Sequence, residues 1–267
     1  MRSLTVPSWV RQLNDASQNT NESRIAFIQQ HYKNLLKGQP EVSIVIPAYN
    51  EADVILTTLH SLCQCATNRS VEIIVVNNNS KDNTEQLVRA SGVICVNEPK
   101  QGVTNARNTG LDAAKGKYIL NADADSIYPT DWIEALVSPL AANESVSMSY
   151  GRYTFIPTGV TSRFTYFFYE TIVDILRWLK KTFKEEAVNV GGASSCFRKE
   201  QALQVDKFNH PPSANEDGFL ALKLRNKGFG KLYPVYSAIV WTTDRRLQID
   251  GGLVKGIIKR IKRTFFS

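Results

Sequence analysis

The strongest constraint on the fold is an unbroken run of mostly β-branched residues, VSIVIP at positions 42–47. Apolar and polar residues in strict alternation mark a strand with one wet face. A continuous run marks one buried on both faces, as a parallel strand covered by helices is. The pattern then recurs: helical spacing over 54–65, a second run at 71–76 (VEIIVV), a helix at 85–90, a strand at 93–96, a helix at 103–115 and a strand at 118–120. Such alternation implies a parallel sheet with right-handed crossovers. Ligands of these sheets bind beyond the carboxyl ends of the strands. Three of those ends carry polar clusters: Tyr49 to Glu51, Asn77 to Asn79, and Asp123 with Asp125.

The chain has 267 residues, 43% of them hydrophobic, enough for one large α/β domain with terminal extensions. Residues 1–40 form a polar arm in which only 23–36 carries helical spacing. The first strand is followed by no Gly-x-Gly-x-x-Gly, and no P-loop is present, so neither a dinucleotide fold nor a P-loop NTPase is indicated. Cys63, Cys65, Cys95 and Cys196 make no CxxC pair and read as reduced structural thiols, without a zinc site. The N-terminus turns polar at once, and no stretch offers 18 uninterrupted apolar residues. The expectation is a cytoplasmic chain, soluble or peripheral. A formal net charge of +7 suits nucleic acid, an anionic membrane surface or phosphorylated small molecules.

Asp123 and Asp125 end the apolar run YILNA and stand two residues apart, which in an extended segment puts both carboxylates on one side. Hard oxygen ligands so placed suit Mg²⁺ or Mn²⁺. For the pair taken alone, a solvated turn in which Asp125 caps the next segment explains as much.

Five segments in order change that balance: VSIVIPAYNE (42–51), EIIVVNNNSKDNT (72–84), TNARNTGLDAAKGKY (104–118), Asp123-Ala124-Asp125 and Asn215-Glu216-Asp217. Together they resemble the successive motifs of the family-2 nucleotide-sugar glycosyltransferases over about residues 42–246. The resemblance implies a GT-A type α/β fold: a Rossmann-like, mostly parallel central sheet flanked by helices, in a single domain with helical terminal extensions. It divides the chain into an arm (1–40), a catalytic domain (41–250, with a nucleotide-binding half at 41–126 and an acceptor-binding half at 127–250) and a basic C-terminal helix (251–267).

The resemblance also implies roles. Pro47, Tyr49, Glu51, Asn77, Asn79, Arg107 and Asp123 fall to the nucleotide sugar, as do the paired Arg245 and Arg246, which can neutralise a diphosphate. Asn77 stands where the family usually has an aspartate, which leaves the base open among uracil, guanine and thymine; Asn78 and Asn79 also suit a turn. Asp125, with Asp123, falls to a divalent cation, Mn²⁺ or Mg²⁺. Gly191, Gly192 and Ala193 lie by resemblance beside sugar and acceptor, although a tight turn needs the same small residues. Asp217 becomes the general base, with Glu216 assisting; otherwise both are acids at a helix start, favoured by its dipole. One base and no nucleophile implies inversion. No histidine follows His210, so the histidine metal ligand of some relatives has no counterpart here; the absence of a Gln-x-x-Arg-Trp element points by the same resemblance to transfer of a single sugar. The implied partners are a nucleotide-diphosphate sugar, UDP first with GDP or TDP open, and an acceptor glycan or lipid-linked glycan, with no nucleic acid. A nucleotidyltransferase and a non-catalytic membrane or nucleic-acid adaptor are the competing classes.

Two basic, aromatic stretches remain. Residues 163–184 carry Phe164, Phe168, Ile172, Ile175, Leu176, Leu179 and Phe183 at helical spacing, consistent equally with packing on the domain and with an interface. Residues 254–266 place Val254, Ile257, Ile258, Ile261 and Phe265 on one side, with only basic charges among the rest, the pattern of a helix lying on anionic lipid. The full chain is therefore expected to float with anionic liposomes and a 1–250 truncation to stay behind. Equal recovery of the two would count against the C-terminal helix as an anchor.

Overall fold

Strand β1 (Val42–Ala48) is buried at nearly every position, and its alternate residues feed two different cores. Val42, Ile44 and Ile46 face one side, Val45 the other. That is the physical meaning of its uninterrupted apolar run. The structure is a computed structural model that describes residues 2–15, 17–183, 185–212, 214–249, 252–253 and 255.

The remaining strands are β2 (Val71–Asn77), β3 (Ile94–Asn97), β4 (Tyr118–Asn121), β5 (Ser126–Ile127), β6 (Val146–Ile156), β7 (Ser195–Arg198) and β8 (Lys231–Thr243). They form one sheet in the order β3-β2-β1-β4-β7-β6-β8-β5. The pairs β2–β3, β1–β2, β1–β4 and β6–β8 are parallel, while β7 runs antiparallel to both β4 and β6, and β5 to β8. The helices are α1 (Ser8–Asn14), α2 (Asn21–Leu35), α3 (Ile55–Cys63), α4 (Thr84–Ala90), α5 (Val103–Ala113), α6 (Trp132–Ala142), α7 (Arg163–Phe183), α8 (Lys199–Leu203), α9 (Glu216–Asn226) and α10 (Arg245–Ile249).

Helices α2, α3 and α6 cover one face through Ile28, Leu59, Trp132 and Leu136; α5, α8 and α9 cover the other through Ala106, Leu111, Ala202 and Leu220. The sheet is thus the α/β sandwich that the alternating runs imply. Register aligns the strand ends: Ala48 sits opposite Asn77, Asn77 opposite Asn97, and Val45 opposite Asn121. The polar residues just past those ends are therefore delivered to one edge.

The arm holds a helix that its polar composition did not announce. Helix α1 buries Val10 and Leu13 against Ile127, Ile156 and Trp241. Ahead of it, Arg2 pairs with Glu170 and Asp174 of α7. The inner face of α7 buries Tyr166, Tyr169 and Val173 with Phe155 of β6, and its outer face leaves Phe164, Phe168 and Ile175 exposed. No helix among the described residues is long and apolar enough to cross a membrane. The expected basic helix at 251–267 lies outside the described residues, apart from Gly252, Leu253 and Lys255.

Helix α5 approaches the sheet at Gly110, where a Cβ would overlap Val45 Cγ1 and lie 3.0 Å from Val76 Cγ2. Alanine normally stabilises a helix interior over glycine by roughly 1 kcal/mol. Here the overpacking opposes that gain, and Gly110→Ala is expected to destabilise the chain by about 1–3 kcal/mol. A urea midpoint at or above wild type would refute this account of the α5 contact.

Candidate functional site

The site is built outward from Arg107. Its position begins with Asn78, a buried residue after β2 whose amide donates to the carbonyls of Glu98 (3.0 Å) and Lys100 (2.9 Å) and accepts from Gly102 N (2.7 Å). Those bonds fix the loop that starts α5. One and a half turns into α5, Arg107 is 1% exposed. Its Nη2 lies 3.3 Å from Asp123 Oδ1, and its Nε lies 3.4 Å from Asp217 Oδ1 and 3.8 Å from Glu216 Oε1. One cation meets three carboxylates contributed by the segment after β4 and by the start of α9.

Asp217 also accepts from Asn121 Nδ2 at 3.2 Å, and the same amide reaches Ser195 Oγ at 3.2 Å. Burial raises the Asp217 carboxyl from its usual 3.8 to about 7; Arg107 opposes this, and the charges of Glu216 and Asp123 add to it. Desolvation of a carboxylate beside two others outweighs one guanidinium.

The turn carrying Asp123 and Asp125 is held by its backbone. Asp123 N donates to Tyr128 Oη at 2.8 Å, Thr58 Oγ1 donates to Ala124 O at 2.8 Å, and Ser126 N donates to Thr58 Oγ1 at 3.2 Å. Asp125 accepts from Thr242 Oγ1 at 3.4 Å and lies 3.7 Å from Arg245 Nη2. Arg245 grips Glu51 through both carboxylate oxygens, at 2.9 and 2.6 Å. Glu51 is set in turn by Thr84 Oγ1, which accepts from its N–H at 2.8 Å. The loops after β1 and β2 are tied further by Asn50, whose backbone is left-handed (φ 54°) and whose side chain accepts from Lys81 N at 2.7 Å.

A cavity of about 260 Å³ opens beside this group, lined by Asp123, Asp125, Gly191, Gly192, Ala193 and Thr242 among others. Asp123, Asp125 and the 191–193 segment, read separately in the sequence, share its wall. Gly192 lies directly over the ion cluster: a Cβ there would overlap Arg107 Nη2 and stand 2.7 Å from Asp217 Oδ2. Gly191 has open space instead. Asp217, Glu216 and Arg107 do not line the cavity; the ion cluster adjoins the glycine segment and is continuous with Asp123. Arg107, expected at a base or phosphate, is engaged by the three carboxylates.

Tyr49 is half-exposed past the end of β1, and Pro47 lies within that strand. Asn77 is buried, its amide donating to Glu85 Oε2 and Asn97 Oδ1, both at 3.1 Å. Asn79 takes the left-handed turn conformation, φ 64°. Tyr49, Pro47, Asn77 and Asn79 do not line the cavity. The side chain of Arg246 lies outside the described residues. Reading the sequence missed Asn121, Tyr128, Thr58 and Thr242. Asn121 had a signal: an amide closing an apolar strand, two residues before Asp123.

The donor chemistry suits a hard divalent cation that takes the rest of its shell from phosphate and water. The cavity wall offers the carboxylates of Asp123 and Asp125, and no cluster of three or more His, Cys, Asp or Glu able to hold a metal occurs among the described residues.

The family model described as glycosyl transferase family 2 matches residues 43–201. The chain belongs to glycosyl transferase family 2. It is similar to two Escherichia coli proteins named as UDP-Glc:α-D-GlcNAc-diphosphoundecaprenol β-1,3-glucosyltransferases. With WfaP it shares 36% identity over 129 residues, 45% of this chain and 51% of that one; with WfgD it shares 32% over 119 residues, 43% and 46%. The matches span about half the length of these relatives. In fold, this family-2 chain resembles a mannosyltransferase of Pyrobaculum calidifontis solved with GDP-Man and Mn²⁺ (TM-score 0.59, 19% identity, 95% of this chain and 76% of that one). It also resembles the glucosyl-3-phosphoglycerate synthase of Mycobacterium tuberculosis solved with Mn²⁺, UDP and phosphoglyceric acid (TM-score 0.57, 20% identity, 90% and 82%). The architecture is the GT-A fold, with the mostly parallel sheet expected.

The Asp217 shift has a measurable sign. Between the ordinary carboxylate value and about 7 the folded chain holds a proton that the unfolded chain has released, so this group's contribution to stability is lost as pH rises through that window. Asparagine cannot ionise. The melting temperature of Asp217→Asn minus that of wild type should therefore increase from about pH 5 to about pH 8. A difference flat in pH would contradict the raised value.

Proposed function

We propose that this family-2 chain moves a single sugar from a nucleotide-diphosphate sugar to an acceptor hydroxyl, with inversion at the anomeric carbon and with Mn²⁺ or Mg²⁺. The observation that carries the reading is the contact of Arg107 with both Asp123 and Asp217, beside a cavity walled by Asp123, Asp125 and Gly192. A carboxylate pair for a cation-bound diphosphate and a carboxyl of raised proton affinity are thereby joined across one guanidinium. An inverting transfer has the same two demands, at the leaving group and at the attacking hydroxyl.

Asp125 and Asp123 would hold the cation, which when bound supplies Lewis-acid stabilisation of the departing nucleoside diphosphate. Asp217 takes the proton of the acceptor hydroxyl; a carboxyl poised near neutrality is a better base than an ordinary aspartate. Arg107 and Asn121 position Asp217, and Glu216 assists from the adjacent place on α9. On the nucleotide side the reading assigns Tyr49 to the base, Glu51 to the ribose, and Pro47, Asn77 and Asn79 to the surrounding wall. Arg245 and Arg246 serve the diphosphate. Arg245 is paired with Glu51, so a diphosphate at Arg245 would compete with that carboxylate for the guanidinium. UDP is the leading nucleotide, supported by the UDP-Glc in the names of the relatives above, with GDP and TDP as alternatives. Those names also support a lipid-linked glycan as acceptor, and the reading places the chain peripherally at the inner face of the membrane. The division at 126/127 into nucleotide and acceptor halves belongs to the same proposal.

A thermal-shift panel of UDP, GDP, TDP and CMP, with and without Mn²⁺, tests it. One diphosphate is expected to raise the melting temperature only with metal, and Asp125→Asn to abolish that shift. Asp217→Asn should keep the shift and lose about 10²–10⁴ in transfer rate. Wild-type turnover by Asp217→Asn would remove the base assignment, and no response to any nucleotide would remove the reading as a whole.

A further inference from the structure

A second cavity, of about 180 Å³, adjoins the first and shares Gly151, Arg152 and Arg177 with it. Its walls come from β6, β8, α7 and Asn189 in the turn after α7. The charged groups in its lining are Arg152, Arg177, Lys181 and Asp174, three cations to one carboxylate. That carboxylate is already claimed from behind. Arg2, outside the lining, donates from Nε to Asp174 Oδ2 at 2.7 Å and from Nη2 to Oδ1 at 2.9 Å, and Arg152 shares Oδ2 at 3.0 Å. Burial works to raise the Asp174 carboxyl, but Arg2, Arg152 and Arg177 together hold it below its usual value, so it stays ionised and fully paired. Lys181 is paired with Glu186 at 2.8 Å, at the rim, where its side chain is 38% exposed. Arg152 Nε is buried without a hydrogen-bond acceptor. The cavity thus keeps an excess of positive charge and an unmet donor, the conditions that favour an anion.

Apart from Asn189, whose amide donates to Arg177 O at 2.9 Å, the rest of the lining is apolar or aromatic. Tyr236 stacks under Arg152, with the guanidinium carbon 5.1 Å from the ring centroid, and Trp178 is exposed at the mouth. From Trp178 the exposed residues Ile175, Ile172, Phe168 and Phe164 continue along α7 at helical spacing, without a charged side chain among them. A positively charged chamber that opens onto an apolar row is complementary to an amphiphile with an anionic head.

We propose that this second cavity is a subsite for the phosphate of an amphiphilic acceptor, with Arg152, Arg177 and Lys181 holding the phosphate and Trp178 and Tyr236 flanking the start of its hydrocarbon chain. The inference rests on the glycosyl-transfer reading, since the shared residues Gly151, Arg152 and Arg177 connect the subsite to the cavity walled by Asp123 and Asp125. It explains why α7 leaves an apolar row facing outward, and why Arg2 is brought across to neutralise Asp174.

The test is isothermal titration of the full chain, in EDTA so that no cation recruits phosphate to Asp125, with three probes: decyl phosphate below its micelle concentration, inorganic phosphate and decyl β-glucoside. Decyl phosphate is expected to bind one to one and more tightly than inorganic phosphate, while the neutral glucoside does not bind. Arg177→Gln and Lys181→Gln should each weaken decyl phosphate about tenfold. Trp178→Ala should weaken decyl phosphate and leave inorganic phosphate as in wild type. Lys181 is a rim residue whose replacement leaves the core intact, so its result stands even if Arg177→Gln folds poorly. Wild-type affinity in Lys181→Gln, or equal binding of the glucoside, would overturn the subsite. The metal-dependent nucleotide shift is read separately. Its loss with decyl phosphate binding intact sinks the transferase reading alone, and its presence without decyl phosphate binding sinks the subsite alone.

Discussion

The rest of the site depends on a single buried guanidinium. Arg107 is surrounded by protein and faces Asp123, Glu216 and Asp217 at 3.3–3.8 Å. Its Nε and Nη1 nevertheless have no hydrogen-bond acceptor, so the approach of Asp217 is ionic and off the N–H axis. Taking charges out of water costs several kcal/mol per ion, and a buried cluster with imperfect hydrogen bonds does not recover that through attraction alone. Stability is therefore a poor reason for such an arrangement. Its effect is to hold carboxylates from two separate parts of the chain close together while leaving them collectively more negative than their one cation. That excess, with burial, is what raises Asp217.

The sheet makes this arrangement possible. Asn121, Asp123 and Asp125 occupy alternate positions and reach three different partners: Asn121 bonds Asp217, Asp123 meets Arg107, and Asp125 meets Thr242 and Arg245. One short segment thus touches α5, α9 and the end of β8. It can do so because β4 is central, with parallel β1 on one side and antiparallel β7 on the other. The change of direction at β7 brings Ser195 against Asn121, and with it the glycine segment just before. A wholly parallel sheet would send that segment to the opposite edge.

Legibility in the sequence followed locality. The runs at 42–47, 71–76 and 118–120 declared buried strands because every residue of such a strand has a face to fill, and β1, β2 and β4 are found there. Strand β5 is two residues long and has no readable period, while β6 alternates only over Val146–Tyr150 before Gly151 and Arg152 interrupt it, too short a stretch to mark an 11-residue strand. Helix α1 is too short and polar to stand out, yet its two apolar residues are enough to fasten the arm. In the site, the carboxylates could be read because motifs carry them. Which residues pair could not, because Arg107 meets Asp217 across 110 positions and Glu51 meets Arg245 across 194. No local pattern encodes a pairing at that separation.

The glycine segment shows how one motif can serve two physical needs. Gly191 and Gly192 are adjacent and chemically identical, and the sequence gives both the same meaning, a place where backbone comes close to something. At Gly191 a Cβ would meet nothing within 4 Å, so what the residue supplies is bare wall facing the cavity. At Gly192 a Cβ would strike the ion cluster itself, so what it supplies is closeness between the backbone and Arg107 with Asp217. Any side chain there must push the guanidinium away from the carboxylates it holds. The segment and the cluster are therefore one packed unit.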